Sequence, residues 1–304
     1  MLYALTGSLE SGMLYAIMAL GVYITFRILN FPDLTVDGSF TTGGAIAAVM
    51  IAGGTSPIIA TIAAFIGGLI AGACTGILHT KGKVNALLAG ILMMIALYSI
   101  NLRIMGKANI SLLGTDTLVT NVNMLLVMPI IVLLIKFALD WFLRTDLGLA
   151  LRATGDNPRM IRSFGVNTDN TIITGVSLSN GLVALSGALI AQYSAFAEIT
   201  MGVGMIVIGL ASVIIGEALF GARTVVRATL AVLIGAIVYR LIVALALRVG
   251  LEATDMKLMT ALIVIVALTL PMVRGTMRQK ALIRKRAAEL EQAGPTDAAR
   301  GGGI

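Results

Sequence analysis

Cysteine, histidine and tryptophan each occur once in this sequence, and charged residues make up only 12% of it. A lone Cys74 can close no intramolecular disulfide and no cysteine-based zinc site. A lone His79 leaves no histidine-rich metal site. No Gly-x-x-x-x-Gly-Lys-Ser/Thr loop occurs, so the chain has no phosphate-cradling motif of its own. Paired carboxylates within one apolar segment are also missing, the nearest approach being Asp33 and Asp37. No catalytic residue and no bound metal or cofactor is therefore assigned to this chain. The first apolar segment has no basic stretch before it and no small-residue cleavage site after it, so it is expected to remain as a span.

What the sequence has in excess is hydrophobicity. At 58% hydrophobic residues it lies outside the range of ordinary soluble domains. Its apolar runs approach the ~20 residues that a helix needs to cross a bilayer. We place nine of them, near 9–29, 38–54, 57–78, 84–102, 121–143, 171–193, 203–221, 225–247 and 256–273. Runs such as 261–270 show no polar alternation, which excludes a membrane β-barrel. The expected fold class is all-α: a polytopic helical membrane protein of about eight or nine transmembrane helices with a short cytoplasmic coupling helix. The 34 glycines suit close helix packing through small residues.

The net charge of +7 is gathered at one face. Under strict alternation Arg27, Lys81, Lys83, the basic cluster at 144–162, Arg223, Arg227 and the basic tail share one side, against Arg103, Lys107, Arg248 and Lys257 on the other. Basic residues favour the cytoplasmic side, which puts the N-terminus outside and the C-terminus in the cytoplasm. Residues 1–273 are read as one membrane domain with a cytoplasmic segment at 144–170, and 274–304 as a basic cytoplasmic tail, partly disordered.

Residues 28–44 interrupt the apolar pattern early. Pro32 breaks a helix by removing a donor and clashing with the preceding turn. Asp37 is expected to cap a helix beginning at Gly38. Two readings stay open: a cytoplasmic turn with a cap, or a broken helix beside a translocation path. On the second, Asn30, Asp37, Ser39, Thr41 and Thr42 are pathway candidates, joined by Asn85, Ser99 and Asn101 of the fourth segment. Met93 and Met94 are read as packing residues, and Lys136 as reaching to the inner interface. Glu217 is read as a solvated helix end near Arg223. Arg240 sits deep, either holding a substrate carboxylate or paired structurally.

The polar stretch 144–170 is the largest island between apolar runs. Asp146 is expected to cap a short helix that Gly155-Asp156-Asn157-Pro158 stops. Asn157 as N-cap and Pro158 at the first position then start a second helix, closed by Gly165. That helix presents Met160, Ile161 and Phe164 on one side, with Arg159 and Arg162 exposed. It either rests on lipid headgroups or docks on a protein, and its two capping devices favour docking. A transporter-like chain with no energy-coupling machinery is most simply a pore subunit driven by another protein.

Residues 145–167 resemble the coupling segment of permeases of the branched-chain amino-acid and ribose type of ABC importer. Residues 178–192 and 209–221 resemble that family's next two spans, with Gly216-Glu217 where the family often has a Gly pair. The early run 30–40 and residues 88–105 are most similar to the tryptophan/tyrosine-type branch. The resemblance implies a permease subunit passing a small solute, an aromatic or branched-chain amino acid, across the bacterial cytoplasmic (inner) membrane. It implies a homodimer of permeases, two cytoplasmic ABC ATPase subunits binding ATP and Mg, and an extracytoplasmic solute-binding protein. It also implies ATPase-coupling roles for Arg152, Gly155, Asp156, Asn157, Pro158, Arg159, Met160, Ile161, Phe164 and Gly165. The alternative is an ion-coupled secondary carrier acting without an ATPase, using Asp33, Asp37, Glu217 or Arg240.

Overall fold

A computed structural model describes residues 2–120, 123–248, 258, 260–266 and 269. The basic tail at 274–304 lies outside the described residues, as does half of the ninth expected span at 256–273. Among the described residues, seven helices are long and apolar enough to cross a membrane, and an eighth apolar helix is shorter.

Helix α1 (Leu2–Val22) runs into a π-helical turn, Tyr23–Ile28. The chain leaves the helix at Asn30, whose φ is +52°, two residues before Pro32. Helix α2 (Thr35–Ala52) then starts, with Thr35 N donating to Asp33 Oδ1 at 2.9 Å. The cap expected of Asp37 is thus supplied by Asp33, and Asp37 lies inside the first turn. Helix α3 (Pro57–Thr80) has its proline at the first position, where no N–H is missed. Helix α4 (Ala86–Met105) is capped by Asn85, which accepts from Leu87 N, and ends at Gly106 in the left-handed region.

Strand β1 (Asn109–Ser111) follows, then helix α5 (Met124–Phe142). Two short helices come next, α6 (Asp146–Asp156) and α7 (Pro158–Ser163). The long helix α8 (Thr168–Ser194) leads to strand β2 (Phe196–Glu198). Helices α9 (Met205–Phe220) and α10 (Val225–Arg248) complete the described bundle, and Tyr239 Oη reaches Thr260 Oγ1 at 3.0 Å. The two strands pair antiparallel with Ile110 opposite Ala197. The connections after α4 and after α8 therefore meet at one end of the bundle, as alternate crossing requires.

Helix α8 is the axis, packed by α1, α2 and α3. In lipid, helices gain little from hydrophobicity against one another and associate by close packing, and the glycines show how. A Cβ at Gly68 or Gly72 of α3 would meet the Asn180 or Val176 carbonyl oxygen at 2.4 Å, so α3 lies backbone to backbone on α8. Gly216 and Gly235 do the same between α9 and α10. The other face of α8 holds α1, whose Leu14, Ile17 and Leu20 are fully buried.

Lys136 corrects an expectation. It does not reach to the interface. It is 2% exposed and paired with Asp140 at 2.6 Å, and Asp140 also accepts from Thr229 Oγ1 at 2.7 Å. The reason is the i, i+4 spacing on one helix face, turned inward toward α10.

Candidate functional site

Helix α9 starts inside the bundle. Its 16 residues span ~24 Å at 1.5 Å each, short of the ~30 Å hydrocarbon layer. The rest of that crossing is made by residues 199–204 in turns, pressed against α2 so closely that a Cβ at Gly202 would strike the Asp37 carbonyl oxygen. Irregular backbone at this depth is tolerated when buried in protein or lining a cavity. Here the free N–H groups of the α9 N-terminus are met by Asp37: Oδ2 accepts from Gly204 N and Oδ1 from Ile206 N, both at 2.8 Å. A carboxylate at a helix N-terminus satisfies orphan donors and complements the helix dipole. One turn further along α2, Thr41 Oγ1 accepts from Gly202 N at 3.1 Å.

Beside this junction lies a cavity of about 260 Å³, lined by Asp37, Thr41, Met94, Tyr98, Asn101 and Val203 among others. Gly38 of α2 faces Met94 and Leu97, which puts the cavity level with the middle of α4. Of the pathway candidates read from sequence, Asp37, Thr41 and Asn101 are brought together here. The rest lie elsewhere. Asn30 is exposed at the end of the π turn, and Asn85 caps α4 at that same end of the bundle. Thr42 Oγ1 bonds Gly38 O within its own helix, and Ser39 is fully buried. Ser99 lines a separate depression with Arg103. Arg240 sits with its guanidinium 4.2 Å over the Tyr15 ring, a cation–π contact. Met94 and Tyr98 were missed as lining residues, since packing and lining methionines look alike in a sequence.

Asp33 is not among the residues that line the cavity. It accepts from Asn180 Nδ2 at 2.6 Å, tying the break at 29–34 to the middle of α8. Glu217 pairs with Arg27 at 2.9 Å rather than with Arg223, because α9 descends beside the end of α1.

The second region is the α6–α7 turn. Thr145, not Asp146, caps α6, accepting from Gly148 N at 3.4 Å; Asp146 is the first helical residue. Asn157 Oδ1 accepts from Met160 N at 3.1 Å, Pro158 follows at the first position of α7, and Gly165 has φ +84°. Helix α6 is firmly seated. A Cβ at Gly155 would meet the Ile28 carbonyl oxygen at 1.8 Å, and Thr154 bonds Thr171 of α8 at 2.9 Å. Helix α7 is the reverse, with no buried residue. Met160 and Phe164 are exposed, Phe164 at 73%, and Ile161 is half-buried. Arg159 is exposed and Arg162 bonds Asp169 at 3.2 Å. Arg152 and Gly155 are half-buried, and Asp156, Asn157, Pro158 and Gly165 exposed.

A multi-pass bundle with a mid-depth cavity, an interrupted crossing and a stiff exposed apolar turn has the architecture of a transport permease. Comparison agrees with this. The chain belongs to the family described as branched-chain amino acid transport system / permease component, which matches residues 4–270. It is 45% identical over 258 residues to the tyrosine transport system permease protein of Clostridioides difficile (strain R20291), covering 84% of this chain and 88% of that one. It is 26% identical over 213 residues to the ribose import permease protein RbsC of Escherichia coli (strain K12), covering 66% of this chain and 65% of that one. The fold matches a metal-chelate type ABC transporter solved in an inward-facing conformation, with TM-score 0.50 at 17% identity, over 89% of this chain and 85% of that one. The chain is thus the permease subunit of an ABC importer, a transport component, and the ion-coupled carrier is set aside.

Proposed function

We propose that this permease passes an amino acid, aromatic (tyrosine or tryptophan) or branched-chain, inward across the bacterial cytoplasmic membrane. Two copies form the pathway as a homodimer, and two ABC ATPase subunits seat on the α7 turns and hydrolyse ATP with Mg, which this chain does not bind. A solute-binding protein delivers the substrate from outside. The N-terminus is outside, the C-terminus in the cytoplasm, and residues 1–273 are the permease domain followed by the basic tail. The amino-acid assignment is supported by the 45% identity to a tyrosine transport permease.

The observation that carries the coupling role is the contrast within one turn: α6 is seated against Ile28 and Thr171, while Met160 and Phe164 beside it are left uncovered. A rigid apolar knob in a polar surround fits a groove on a partner better than it fits headgroups, because lipid contact needs no fixed shape. Nucleotide binding can move such a partner's grip only if ATP binds the two conformations of the assembly unequally. The test is reconstitution of the chain with its ATPase and binding protein in liposomes. Uptake of labelled tyrosine or leucine that needs ATP on the α7 side is expected. Uptake by the chain alone, or none of either amino acid, overturns the reading.

A further inference from the structure

The cavity beside α9 contains polar groups that the bundle leaves without partners. Asn101 is 0% exposed, and its amide nitrogen donates to Gly38 O at 3.3 Å. That bond fixes which way the amide faces, and its Oδ1 has no hydrogen-bond partner among the described residues. A buried acceptor left unmatched is costly, so one retained at the wall of a cavity points to a visitor that donates. The Tyr98 hydroxyl on the rim is likewise without a partner among the described residues, although Tyr98 is 49% exposed near the middle of a membrane helix. A tyrosine hydroxyl facing lipid at that depth would be unsatisfied, so this rim fits a wet path.

The sign of the site follows from Asp37. Its two oxygens hold the Gly204 and Ile206 N–H groups, so an incoming carboxylate would find these α9 donors already taken by another carboxyl group. A carboxylate offers about four lone-pair sites, more than the backbone N–H groups of Gly204, Met205 and Ile206 around Asp37 fill. Among the described residues, no lysine or arginine lines the cavity. Its chemistry therefore accepts from a cation and rejects an anion. At about 260 Å³ it falls just under the ~300–1,000 Å³ of pockets for drug-sized ligands, room for one end of a small solute.

We propose that this cavity receives the ammonium group of the amino acid in transit, with Asp37 and the Asn101 amide oxygen as its acceptors and Tyr98 beside the solute's body. This rests on the amino-acid reading above and adds which end of the solute is held, and where. The test is saturation-transfer NMR on the permease assembled with its ATPase in detergent, with tyrosine and des-amino tyrosine as probes. The wild-type complex is expected to bind tyrosine about tenfold more tightly than the des-amino probe, the size of one charge-assisted hydrogen bond. Asn101→Leu, and independently Asn101→Ser, should shrink that preference several-fold. A wild-type complex that binds neither probe, or binds both alike, overturns the proposal. So does a preference that survives in either assembled variant. ATP-driven uptake by the wild-type importer in liposomes separates the two failures. If no amino acid is taken up, the functional reading falls; if tyrosine is taken up without an amine preference at this site, only the ammonium site falls.

Discussion

Two helix N-termini of this chain are built in opposite ways. Helix α7 is capped by Asn157, the residue just before it, and buries nothing. Helix α9 is capped by Asp37, which lies 169 residues before its partner Ile206, and its first turn is set deep in the bundle. The local cap makes a stiff shape turned outward with its apolar residues uncovered. The distant cap makes a junction turned inward, where the crossing changes from turns to helix beside a cavity. On the proposed function, one end meets a partner and the other shapes a passage. The two are joined by a short run of chain: Gly155 of α6 lies on the Ile28 carbonyl, and Ile28 leads through the break at 29–34 into the turn that carries Asp37.

The largest effect expected from this contrast is at the outward end. Phe164→Asp puts a charge on the most exposed apolar residue of the knob. It should abolish substrate-stimulated ATP hydrolysis by the reconstituted complex while leaving membrane insertion intact. Normal stimulation in that variant would mean that α7 is not where the ATPase grips.

The inward side is sharpened next by the Lys136–Asp140 pair, buried where α5 meets α10. Lys136→Met alone strands a carboxylate in a dry site, and breaking one partner of a buried pair costs about 3–5 kcal/mol. The double change with Asp140→Leu removes both charges and should recover most of that. Thermal unfolding in detergent of the single and double variants measures it. A double variant as weak as the single would assign the loss to packing rather than to the stranded charge.

The two caps should also differ in what their removal costs. Asp37→Ala leaves the Gly204 and Ile206 N–H groups unmet inside protein, at about 1–3 kcal/mol each. Asn157→Ala leaves the Met160 N–H at an exposed position that water can serve, at about 1 kcal/mol. Unfolding by steric trapping of both variants gives the comparison directly. Equal losses would show that α9 does not depend on its distant cap.

This difference also explains what could be read from the sequence. Asn157-Pro158 and Gly165 act within a turn, so residue type and spacing were enough to place α7, and the apolar runs likewise located the described spans. The cap of α9 was out of reach, because nothing near Gly204 hints that its partner is Asp37; the same residue seemed to serve the helix it sits in. Asp33 took that role through Thr35, because α2 starts at Thr35 rather than at Gly38, a shift that a helix boundary read from sequence does not resolve. Lys136 and Asp140 are a different case. Their i, i+4 spacing was visible, but Lys136 was read as a lone charge reaching for water instead of as half of a pair. Asn101 was picked out for its polarity, whereas its orientation depends on Gly38 O, which only the packing of α4 on α2 supplies.

The smallest effect expected is at the second ion pair, and it bears on how the two ends communicate. Arg27 at the end of α1 holds Glu217 near the end of α9 at 2.9 Å, so this contact lies on the same face as the α7 turn and on the same helix as the Asp37 junction. Its guanidinium side is 58% exposed. Water and salt therefore screen it, and such pairs are worth about 0–1 kcal/mol. A double-mutant cycle on Arg27→Ala and Glu217→Ala should give a coupling in that range, shrinking further at high salt. Transport should change little, because α9 is held at its other end by Asp37 and along its length by the Gly216–Gly235 contact with α10. A coupling well above that range, or uptake lost in either single variant, would instead make this pair a strut between the outward and inward ends, and the contrast drawn here would have to give way to a single connected element.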